Sequence, residues 1–567
     1  MEDLHEYIVT LKNFDDLDSF YDDMETPGGS LYIPDRTMPV YRRRLISKNT
    51  HYMLTHEEAN LIKNDSRVVG VEMAERIRNS IKPCWTTPSQ TFRKSISVSG
   101  DVPHNWALKR CTDGVQTTGW GLDGTEDSSG IVSVGLSGKN VDVVIIDGHI
   151  NPGHPTFSVN TDGTGGSRVN QFNWFLLNSI VDVTNELPPG AGMFQHDYVY
   201  TPYNGPGSAG LEVNNHGCHV AGTVAGNENG WARDANIYNF NNHIESNTQY
   251  DYGLTLTLWD YIRAFHNSKS INPATGFKNP TICNCSYSGT TTYPDQSQGY
   301  GPITQVVHRG TTIGDGINAL TSEQLSAAGI YNVNGIATVP IYSNAADSDI
   351  QQAIADGVIV VAAAGNEGFY MDKLGGPDYD NMLTFRYGGS NETRYYHRGS
   401  DPSGIEGVIT VGAVGATAID KKANYSNTGP AISIFAPGTN IISSFNAAGN
   451  HVNMPDQLNN SYRNGLLSGT SMASPQVCGV LACVLEAYPN MKQDEAMRYI
   501  KSHAKVNQLA ESSGGTQDRF DLQGAPNLYL YVYPERPATN SVYPKVNYKL
   551  RPTTGKVYPR VKTRVYK

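Results

Sequence analysis

The sequence predicts an α/β protein built on a mainly parallel central sheet, and two observations support this. From about residue 106 to 512, short apolar runs alternate with helical patterns, which is typical of βαβ units. The 567 residues, 38% hydrophobic and 17% charged, are sufficient for several folded units with a packed core. The clearest candidate strands are Val141–Ile146, Thr281–Cys285, Val358–Ala363 and Val408–Val411.

A separate, small α+β unit is expected at residues 1–76. Its second helix begins with a capping box, in which a Thr is followed three residues later by a Glu. The expected elements are a strand at Glu6–Leu11, a helix at Phe14–Met24, a helix from Thr55 to about Asn64 and a strand at Val68–Glu72.

The rest of the chain divides by composition. Residues 77–105 are polar and contain Pro, Ser and Thr, so we expect a linker there, before an α/β domain at 106–512. Within that domain, 158–212 and 290–340 are rich in Gly, Asn, Thr and Tyr and are predicted to be surface loops. Residues 513–567 form a C-terminal extension.

The end of this extension is a basic tail in which Val-Tyr-Pro recurs three times. From Glu535 onward, nine Lys and Arg residues accompany that single acid. Regular prolines prevent a helix, so one interpretation is a solvated or strand-forming appendage. The other is a docking segment for an acidic partner, a nucleic acid or a larger assembly.

Composition excludes several classes of protein. A formal charge of -11 argues against general nucleic-acid binding by the whole chain. No run of about 18 apolar residues is present, so no membrane-spanning segment is expected. Seven cysteines, an odd number without framework spacing, are expected to be reduced thiols. The acidic N-terminus does not resemble a secretory signal, so we expect an intracellular or virion-associated protein that is not exported by the Sec route.

Two polar residues stand where a catalytic site could form. Val143–Asp147 is an apolar run ending in an acid, which places the carboxylate at the carboxyl end of a strand, where α/β sheets carry their sites. Taken alone, Asp147 is more simply explained as a turn cap. His216 begins a predicted helix and would be neutral as a general base. A structural histidine, or a metal site with His219, also fits, although Cys218 does not complete a zinc signature.

A serine and an asparagine complete the set. Apolar residues recur at helical spacing behind Ser471, so this serine is expected at a helix N-terminus, where free N–H groups favour an oxyanion. Asn366 follows an apolar strand, and its amide could donate to the same oxyanion. A helix cap and a turn would explain the two residues singly, but not the whole segments Leu467–Pro475 and Gly357–Gly368.

These four segments together resemble the subtilisin-like serine peptidases, the subtilases of peptidase family S8. The chain order Asp, His, Ser is that of subtilisin and differs from the order in α/β-hydrolases. Gly469–Ala473 also departs from the G-x-S-x-G pattern at its last position. The resemblance covers about residues 106–512, with large insertions, and implies the subtilisin-like three-layer fold.

The resemblance implies a serine endopeptidase that forms an acyl-enzyme on Ser471. Asp147 would orient His216, and His216 would take the proton of Ser471. The side chain of Asn366 and the backbone N–H of Ser471 would hold the oxyanion. No cofactor is expected for catalysis. Structural calcium is common in the family, but acidic loops such as Asp123–Asp127 are too generic to assign.

The same resemblance assigns a polypeptide substrate and its binding residues. Ser286, Tyr287 and Ser288 match the strand that pairs with extended substrate, and Gly365 would line the primary specificity pocket. Residues 1–76 are similar to the family's inhibitory prodomain, which assists folding, blocks the cleft and is removed by self-cleavage. The chain is therefore expected to be a zymogen that its own prodomain inhibits.

Four departures from the family pattern concern substrate preference and rate. His149 stands where the family has Gly, Cys218 where it prefers Thr, Gln476 where His is frequent, and Ser288 where Gly is customary. None removes a catalytic group. Two hypotheses compete with the serine endopeptidase. One is a pseudo-protease with a structural role, and the other is an exopeptidase in which insertions block one end of the substrate cleft.

Overall fold

The computed structural model describes residues 5–32, 40–43, 48–73, 84–94, 104–113, 127–177, 215–241, 252–417, 419–447, 453–511 and 521–532. They fall in two compact units that divide between residues 81 and 82. No helix within these ranges is long and apolar enough to cross a membrane. The basic tail and most of the first predicted loop, at 178–214, lie outside the described residues.

The first unit is a four-stranded antiparallel sheet with two helices, as expected for a small α+β fold. Its elements are β1 (His5–Leu11), α1 (Leu17–Glu25), β2 (Val40–Arg43), β3 (Asn49–Leu54), α2 (His56–Ile62) and β4 (Val68–Met73), with the strand order β2-β3-β1-β4. The capping box of α2 is present: Glu58 N–H donates to Thr55 Oγ1 (3.3 Å), and Thr55 N–H donates to the Glu58 carboxylate (2.7 Å).

The second unit is built on a mainly parallel sheet, with nine strands within the described ranges. Across the sheet they are β11 (Val169–Asn170), β12 (Asn236–Asn241), β10 (Asp142–Asp147), β13 (Thr281–Cys285), β19 (Ile359–Ala363), β22 (Ile409–Val414), β23 (Ile434–Pro437), β28 (Leu528–Tyr529) and β27 (Lys505–Val506). Only the β27–β28 pair is antiparallel among these neighbours. The four predicted strands are present, with small shifts at their ends.

Helices cover both faces of this sheet. The helices of the second unit in the described ranges are α3 (Trp106–Arg110), α4 (His216–Ala225), α5 (Tyr252–Ser268), α6 (Ser322–Ala327), α7 (Asn344–Asp356), α8 (Thr470–Ala487) and α9 (Gln493–His503), and of these α6 packs in a smaller, separate core. Val143 and Ile145 of β10 pack in a core with residues of α4 and α8, whereas Val144 and Ile146 pack with residues of α5 and α7. Side chains alternate between the faces of a strand, so the unit has three layers, and the predicted α/β fold class is confirmed.

Smaller sheets flank the central one. They comprise β5 (Trp85–Thr86), β6 (Gln90–Arg93), β7 (His104–Asn105), β8 (Asp127–Gly130), β9 (Ser133–Val134), β14 (Thr290–Tyr293), β15 (Tyr300–His308), β16 (Thr311–Gly314), β17 (Asn332–Val333), β18 (Ile336–Pro340), β20 (Met382–Tyr387), β21 (Ser390–Tyr395), β24 (Ile441–Phe445), β25 (Asn453–Pro455) and β26 (Arg463–Leu467).

The prediction that 290–340 is a surface loop was wrong. This stretch contributes five strands and α6, and with residues 383–396 it encloses an apolar core of its own, which includes Tyr293, Val306 and Leu325. Its Gly, Asn and Thr residues suggested a loop, but β15 places buried residues between less buried ones, as half-buried strands do.

The proposed linker and extension also differ from expectation. Residues 84–94 are not a linker, because Trp85 and Phe92 are buried in the core of the second unit. The N–H of the Trp85 ring donates to the backbone oxygen of Trp231 (3.0 Å). At the other end, residues 521–532 do not lie beyond the α/β domain, since β28 pairs with β23 inside the central sheet.

A buried ion cluster joins the segments at both ends of the second unit. Lys94 Nζ donates to Asp420 Oδ1 (3.0 Å), and Arg110 Nε donates to Asp420 Oδ2 (2.8 Å). The guanidinium of Arg110 lies 4.5 Å from the ring centroid of Tyr529 in β28. All four side chains are buried. Two buried cations thus share one carboxylate. Because the site is buried, water cannot solvate these cations in place of the carboxylate.

We expect Asp420→Asn to lower the free energy of unfolding by about 3–5 kcal/mol, because two buried cations lose the carboxylate that they share. The measurement is urea unfolding in a Ser471→Ala background, which prevents self-digestion. The control is Asp494→Asn, whose ion pair with Arg498 is exposed and contributes little. Equal effects of the two substitutions would show that the buried cluster adds no more stability than a surface ion pair.

Candidate active site

The carboxyl edge of the central sheet brings an acid and a histidine together. Asp147 is the last residue of β10, and His216 is the first residue of α4. The next residue, Gly217, lets this helix approach the turn after β10, because a Cβ atom there would overlap the backbone of Gly148. The first turn of α4 therefore rests directly on the end of the strand.

The two side chains form a hydrogen-bonded pair. His216 Nδ1 lies 2.9 Å from Asp147 Oδ1 and 2.8 Å from Oδ2. The N–H of Gly148 donates to Asp147 Oδ1 (2.7 Å) and fixes the carboxylate. The Asp147 side chain is 5% exposed and that of His216 is 31% exposed, so the acid is covered and the ring reaches solvent.

The carboxylate also changes the acidity of the ring. Burial of the imidazole acts to lower the pKa of His216, but the charge and hydrogen bond of Asp147 outweigh it and raise the pKa above its ordinary value. A ring that donates through Nδ1 carries its lone pair on Nε2. The pair therefore provides a base of increased strength at the partly exposed edge of the ring.

Ser471 lies in the first turn of α8 and is held by the residue that follows β13. Its hydroxyl donates to the backbone oxygen of Ser286 (3.1 Å) and is 9% exposed as a residue. In return, the hydroxyl of Ser286 donates to the backbone oxygen of Ser471 (2.8 Å). Because β13 is the neighbour of β10, this exchange ties the serine to the sheet edge that carries Asp147.

A second layer of buried polar groups supports this turn. Asn284 Nδ2 donates to Ser286 Oγ (2.8 Å), and the hydroxyl of Ser474 donates to Asn284 Oδ1 (2.8 Å). Sequence reasoning missed Asn284 and Ser474. The available signal was a polar residue inside β13, a strand whose five residues are all buried.

The amide of Asn366 is fixed at its oxygen. Both the backbone N–H (2.8 Å) and the hydroxyl (3.0 Å) of Thr470 donate to Asn366 Oδ1, which leaves the exposed Nδ2 group to donate. Thr470 also accepts from the N–H of Gly365 (3.0 Å). Gly365 has φ +103°, and a Cβ there would overlap the side chain of Asn427. Thr470, which sequence reasoning did not single out, thus joins both predicted residues to α8.

An open backbone edge follows β13. Tyr287 and Ser288 continue the chain beyond the sheet and are half-buried. Among the described residues, their backbone N–H and C=O groups form no hydrogen bonds. Gly289 ends the segment, where its N–H donates to Ser400 Oγ (2.7 Å). Unpaired backbone groups beside Ser471 are the feature that an extended peptide needs in order to add a strand.

Two residues that depart from the family pattern, His149 and Cys218, lie near the pair formed by Asp147 and His216. The ring of His149 accepts from Asn241 Nδ2 (2.9 Å). Cys218 is buried with its sulfur 3.6 Å from Ser444 Oγ, and burial raises its pKa to about 11. His219 Nε2 donates to the backbone oxygen of Ile441 (2.8 Å), which holds this ring against the first residue of β24.

The described site has an acid–histidine pair, a serine at a helix N-terminus and a side-chain amide on one α/β sheet edge, as in serine peptidases. The model of the subtilase family, peptidase S8, matches residues 138–525, more than half of the chain. The chain therefore belongs to the subtilase family.

Two curated proteins illustrate this similarity. Subtilisin DY of Bacillus licheniformis is 30% identical over 165 residues, which are 29% of this chain and 46% of that protein. An extracellular serine proteinase of Thermus sp. (strain Rt41A) is 29% identical over 189 residues, which are 33% of this chain and 34% of that protein. The matched segments thus span less than half the length of these relatives.

A solved structure is similar over a longer stretch. The crystal structure of a cold-adapted subtilisin-like serine proteinase covers 76% of this chain and 98% of its own, with 20% identity and a TM-score of 0.43.

We expect Gly217→Ala to lower kcat/KM by about 100-fold. The added methyl group would overlap the backbone of Gly148 and displace α4, which misplaces His216 relative to Asp147. The control is Gly415→Ala, where an added methyl meets only ordinary van der Waals contacts. Peptide hydrolysis and thermal melting of both variants would be compared with the wild type. Full activity in a normally folded Gly217→Ala variant would show that the close approach of α4 is not needed.

The raised pKa of His216 predicts the acid limb of the pH profile. Since only the neutral ring accepts a proton, kcat/KM for an uncharged peptide should fall as the pH drops through a value above about 6.5, the ordinary histidine pKa. The free energy of unfolding depends on pH in the opposite direction from activity. The contribution of the Asp147–His216 pair to it is complete below about pH 6.5 and is lost as the pH rises through the pKa of His216 in the folded state. An acid midpoint at or below the ordinary value would contradict the pairing.

Proposed function

We propose that this chain is a serine endopeptidase that cleaves polypeptides through an acyl-enzyme on Ser471. The observation that carries this proposal is the direct hydrogen-bonded pair of Asp147 and His216 on the sheet edge that also holds Ser471. Membership of the subtilase family supports the same reaction class. None of the chemical groups that the reaction needs is replaced.

The first step is attack on the scissile carbonyl. The hydroxyl of Ser471, which donates to Ser286 in the free enzyme, turns to His216 Nε2 when substrate binds. His216 takes the proton while Ser471 Oγ bonds to the carbonyl carbon, whose π electrons move to its oxygen. Asp147 stabilises the imidazolium that results and keeps its orientation. Catalytic hydrogen bonds commonly form only in the substrate complex.

The oxyanion then receives two donors. The Nδ2 group of Asn366, whose oxygen is held by Thr470, provides one, and the backbone N–H of Ser471 at the start of α8 provides the other. Collapse of this intermediate breaks the C–N bond, and His216 gives its proton to the leaving amine. Water, deprotonated by the same ring, attacks the acyl group and releases Ser471 as the hydroxyl.

Substrate would bind in extended form along the open edge after β13. The backbone groups of Tyr287 and Ser288, which form no hydrogen bonds to other described residues, support pairing with the residues that precede the scissile bond, and Gly365 would line the pocket for the first of them. Ser288 adds a hydroxyl where a glycine is customary, so it narrows this binding region.

We also propose that the small N-terminal unit is an inhibitory prodomain that the enzyme removes itself. A cut that preserves both folded units must lie after Met73, where β4 ends, and before Trp85, which is buried in the second unit. The peptidase released in this way would keep all of its core. An exopeptidase remains the second candidate, since the folded insertion at 290–340 has the size to limit one end of a cleft.

Comparison of wild type with Ser471→Ala tests the proposal. We expect the wild type to lose an N-terminal fragment ending between residues 73 and 85 and to react with a fluorophosphonate probe, whereas Ser471→Ala does neither. Intact mass and in-gel fluorescence are the measurements. If a wild-type protein freed of residues 1–76 stays unlabelled, the chain is a structural relative of peptidases and not an enzyme.

A substrate blocked at both ends separates endopeptidase from exopeptidase activity. We expect cleavage of an internally quenched, doubly blocked peptide, and a kcat about 10²–10³-fold lower in Asn366→Ala, the range found for this donor in another subtilase. The matched control is Asn459→Ala, an asparagine in the β25–β26 connection. Activity only on peptides with a free end would favour the exopeptidase.

A further inference from the structure

Three ligand-type side chains outside the active site converge on one point. His308 ends β15, Asp378 lies in the loop before β20, and His397 follows β21. One nitrogen or oxygen atom from each lies within 4.8 Å of the others. The residues come from three separate segments of the folded insertion and its neighbouring loop, so their meeting is a product of the tertiary fold.

The three groups are of the types that bind transition metals. His308 and His397 each place a ring nitrogen within 3.1 Å of the same amide nitrogen, that of Asn381. The carboxylate of Asp378 is held by two hydrogen bonds from Arg309, at 2.8 and 2.7 Å. Asp378 and His397 are buried, and His308 is half-buried.

A single amide group occupies the centre of the cluster. Asn381 Nδ2 lies 3.1 Å from His308 Nδ1, 2.8 Å from Asp378 Oδ1 and 3.0 Å from His397 Nδ1. His308 Nδ1 also lies 3.1 Å from the hydroxyl of Tyr396. Asn381 itself is buried, with its oxygen accepting from the N–H of Arg309. Three atoms of metal-ligand type thus surround one point that a single polar group fills.

We propose that a divalent transition-metal ion of the zinc type binds to His308, Asp378 and His397, at the point that the amide nitrogen of Asn381 now fills. Two imidazoles and a carboxylate are a donor set that suits Zn²⁺ and Co²⁺ and is poor for Ca²⁺, which prefers oxygen ligands alone. The fourth position is taken by water as Asn381 turns away.

The geometry requires the three ligand atoms, which lie within 4.8 Å of one another, to move closer together. Two ligands that hold one zinc ion at about 2.1 Å lie about 3.4 Å apart in a tetrahedral site. Here His397 Nδ1 and Asp378 Oδ1 are 3.9 Å apart. Asp378 keeps both contacts to Arg309, at 2.8 and 2.7 Å, since each carboxylate oxygen has a second lone pair. The buried carboxylate of Asp372, which accepts from the N–H of Asp378 (2.7 Å), adds negative charge beside the ion.

The role of this ion is structural. It fastens the end of β15 to the loop before β20 and to the chain after β21, which are otherwise joined there by hydrogen bonds. All seven cysteines lie in described residues and none forms a disulfide, so the chain has no such covalent fastening. A metal that cross-links distant segments stabilises the fold by binding the folded state alone.

Metal measurements on the full-length chain in a Ser471→Ala background test the proposal. After dialysis against Zn²⁺ and then metal-free buffer, we expect about one ion per chain by mass spectrometry. Co²⁺ in its place should give the visible absorption bands of a tetrahedral site. His308→Gln and Asp378→Asn should each lose most of the bound metal, and a chelator should lower the melting temperature of the parent but not of these variants.

The matched control is His503→Gln, a half-buried histidine at the end of α9 that should leave metal content unchanged. Absence of stoichiometric Zn²⁺ or Co²⁺ in a folded parent would overturn the proposal and leave a hydrogen-bonded cluster around Asn381. Equal metal content in the His308 and Asp378 variants would overturn it as well, because the ion would then be bound elsewhere.

A further variant tests the proposed position. Asn381→Ala removes the amide from the centre, so we expect it to bind Co²⁺ at least as tightly as the parent chain. If this variant melts cooperatively yet binds no Co²⁺, the ion does not take the place of the amide and the proposed site is wrong.

Discussion

The close contact between the first turn of α4 and the end of β10 is the constraint on which the site depends. Parallel strands deliver their last residues to one edge of the sheet, but a carboxylate and an imidazole meet there only if helix and strand approach to backbone distance. Gly217 provides that approach by lacking a side chain, since a Cβ atom there would overlap the backbone of Gly148. The hydrogen bonds between Asp147 and His216 and the raised pKa of the ring follow from it.

The serine is positioned in a different way, by buried polar groups. Ser286 and Ser471 exchange hydrogen bonds, and Asn284 and Ser474 satisfy the groups behind them. Each donor in this set has an acceptor, so burial of polar atoms stabilises one arrangement instead of costing free energy. Asn366 is fixed by the same principle through Thr470. These hydrogen bonds are thus already formed in the structure without substrate.

The sequence allowed the fold class to be predicted, because apolar runs ending near Asp147 and Asn366 indicate strands and the spacing behind Ser471 indicates a helix. The roles of the four site residues came from the joint resemblance of their segments to a family and stay predictions. A polar residue inside β13 marked Asn284 as unusual, but its partners Ser286 and Ser474, like those of Thr470, depend on segments that only the fold brings together. The interpretation of 84–94 as a linker failed for the same reason: the core that covers Trp85 comes from residues far along the chain.

The pairing of β28 with β23 and the cluster around Asp420 have a consequence for how the second unit is made. Lys94 and Asp420 are 326 positions apart, and Tyr529 follows more than a hundred residues later. Contacts of such separation close long loops and are associated with slow folding. During synthesis, the central sheet cannot be completed until residues near 529 have left the ribosome. Until then the edge of β23 that pairs with β28 has no partner strand, and an unpaired strand edge is a site where chains can aggregate.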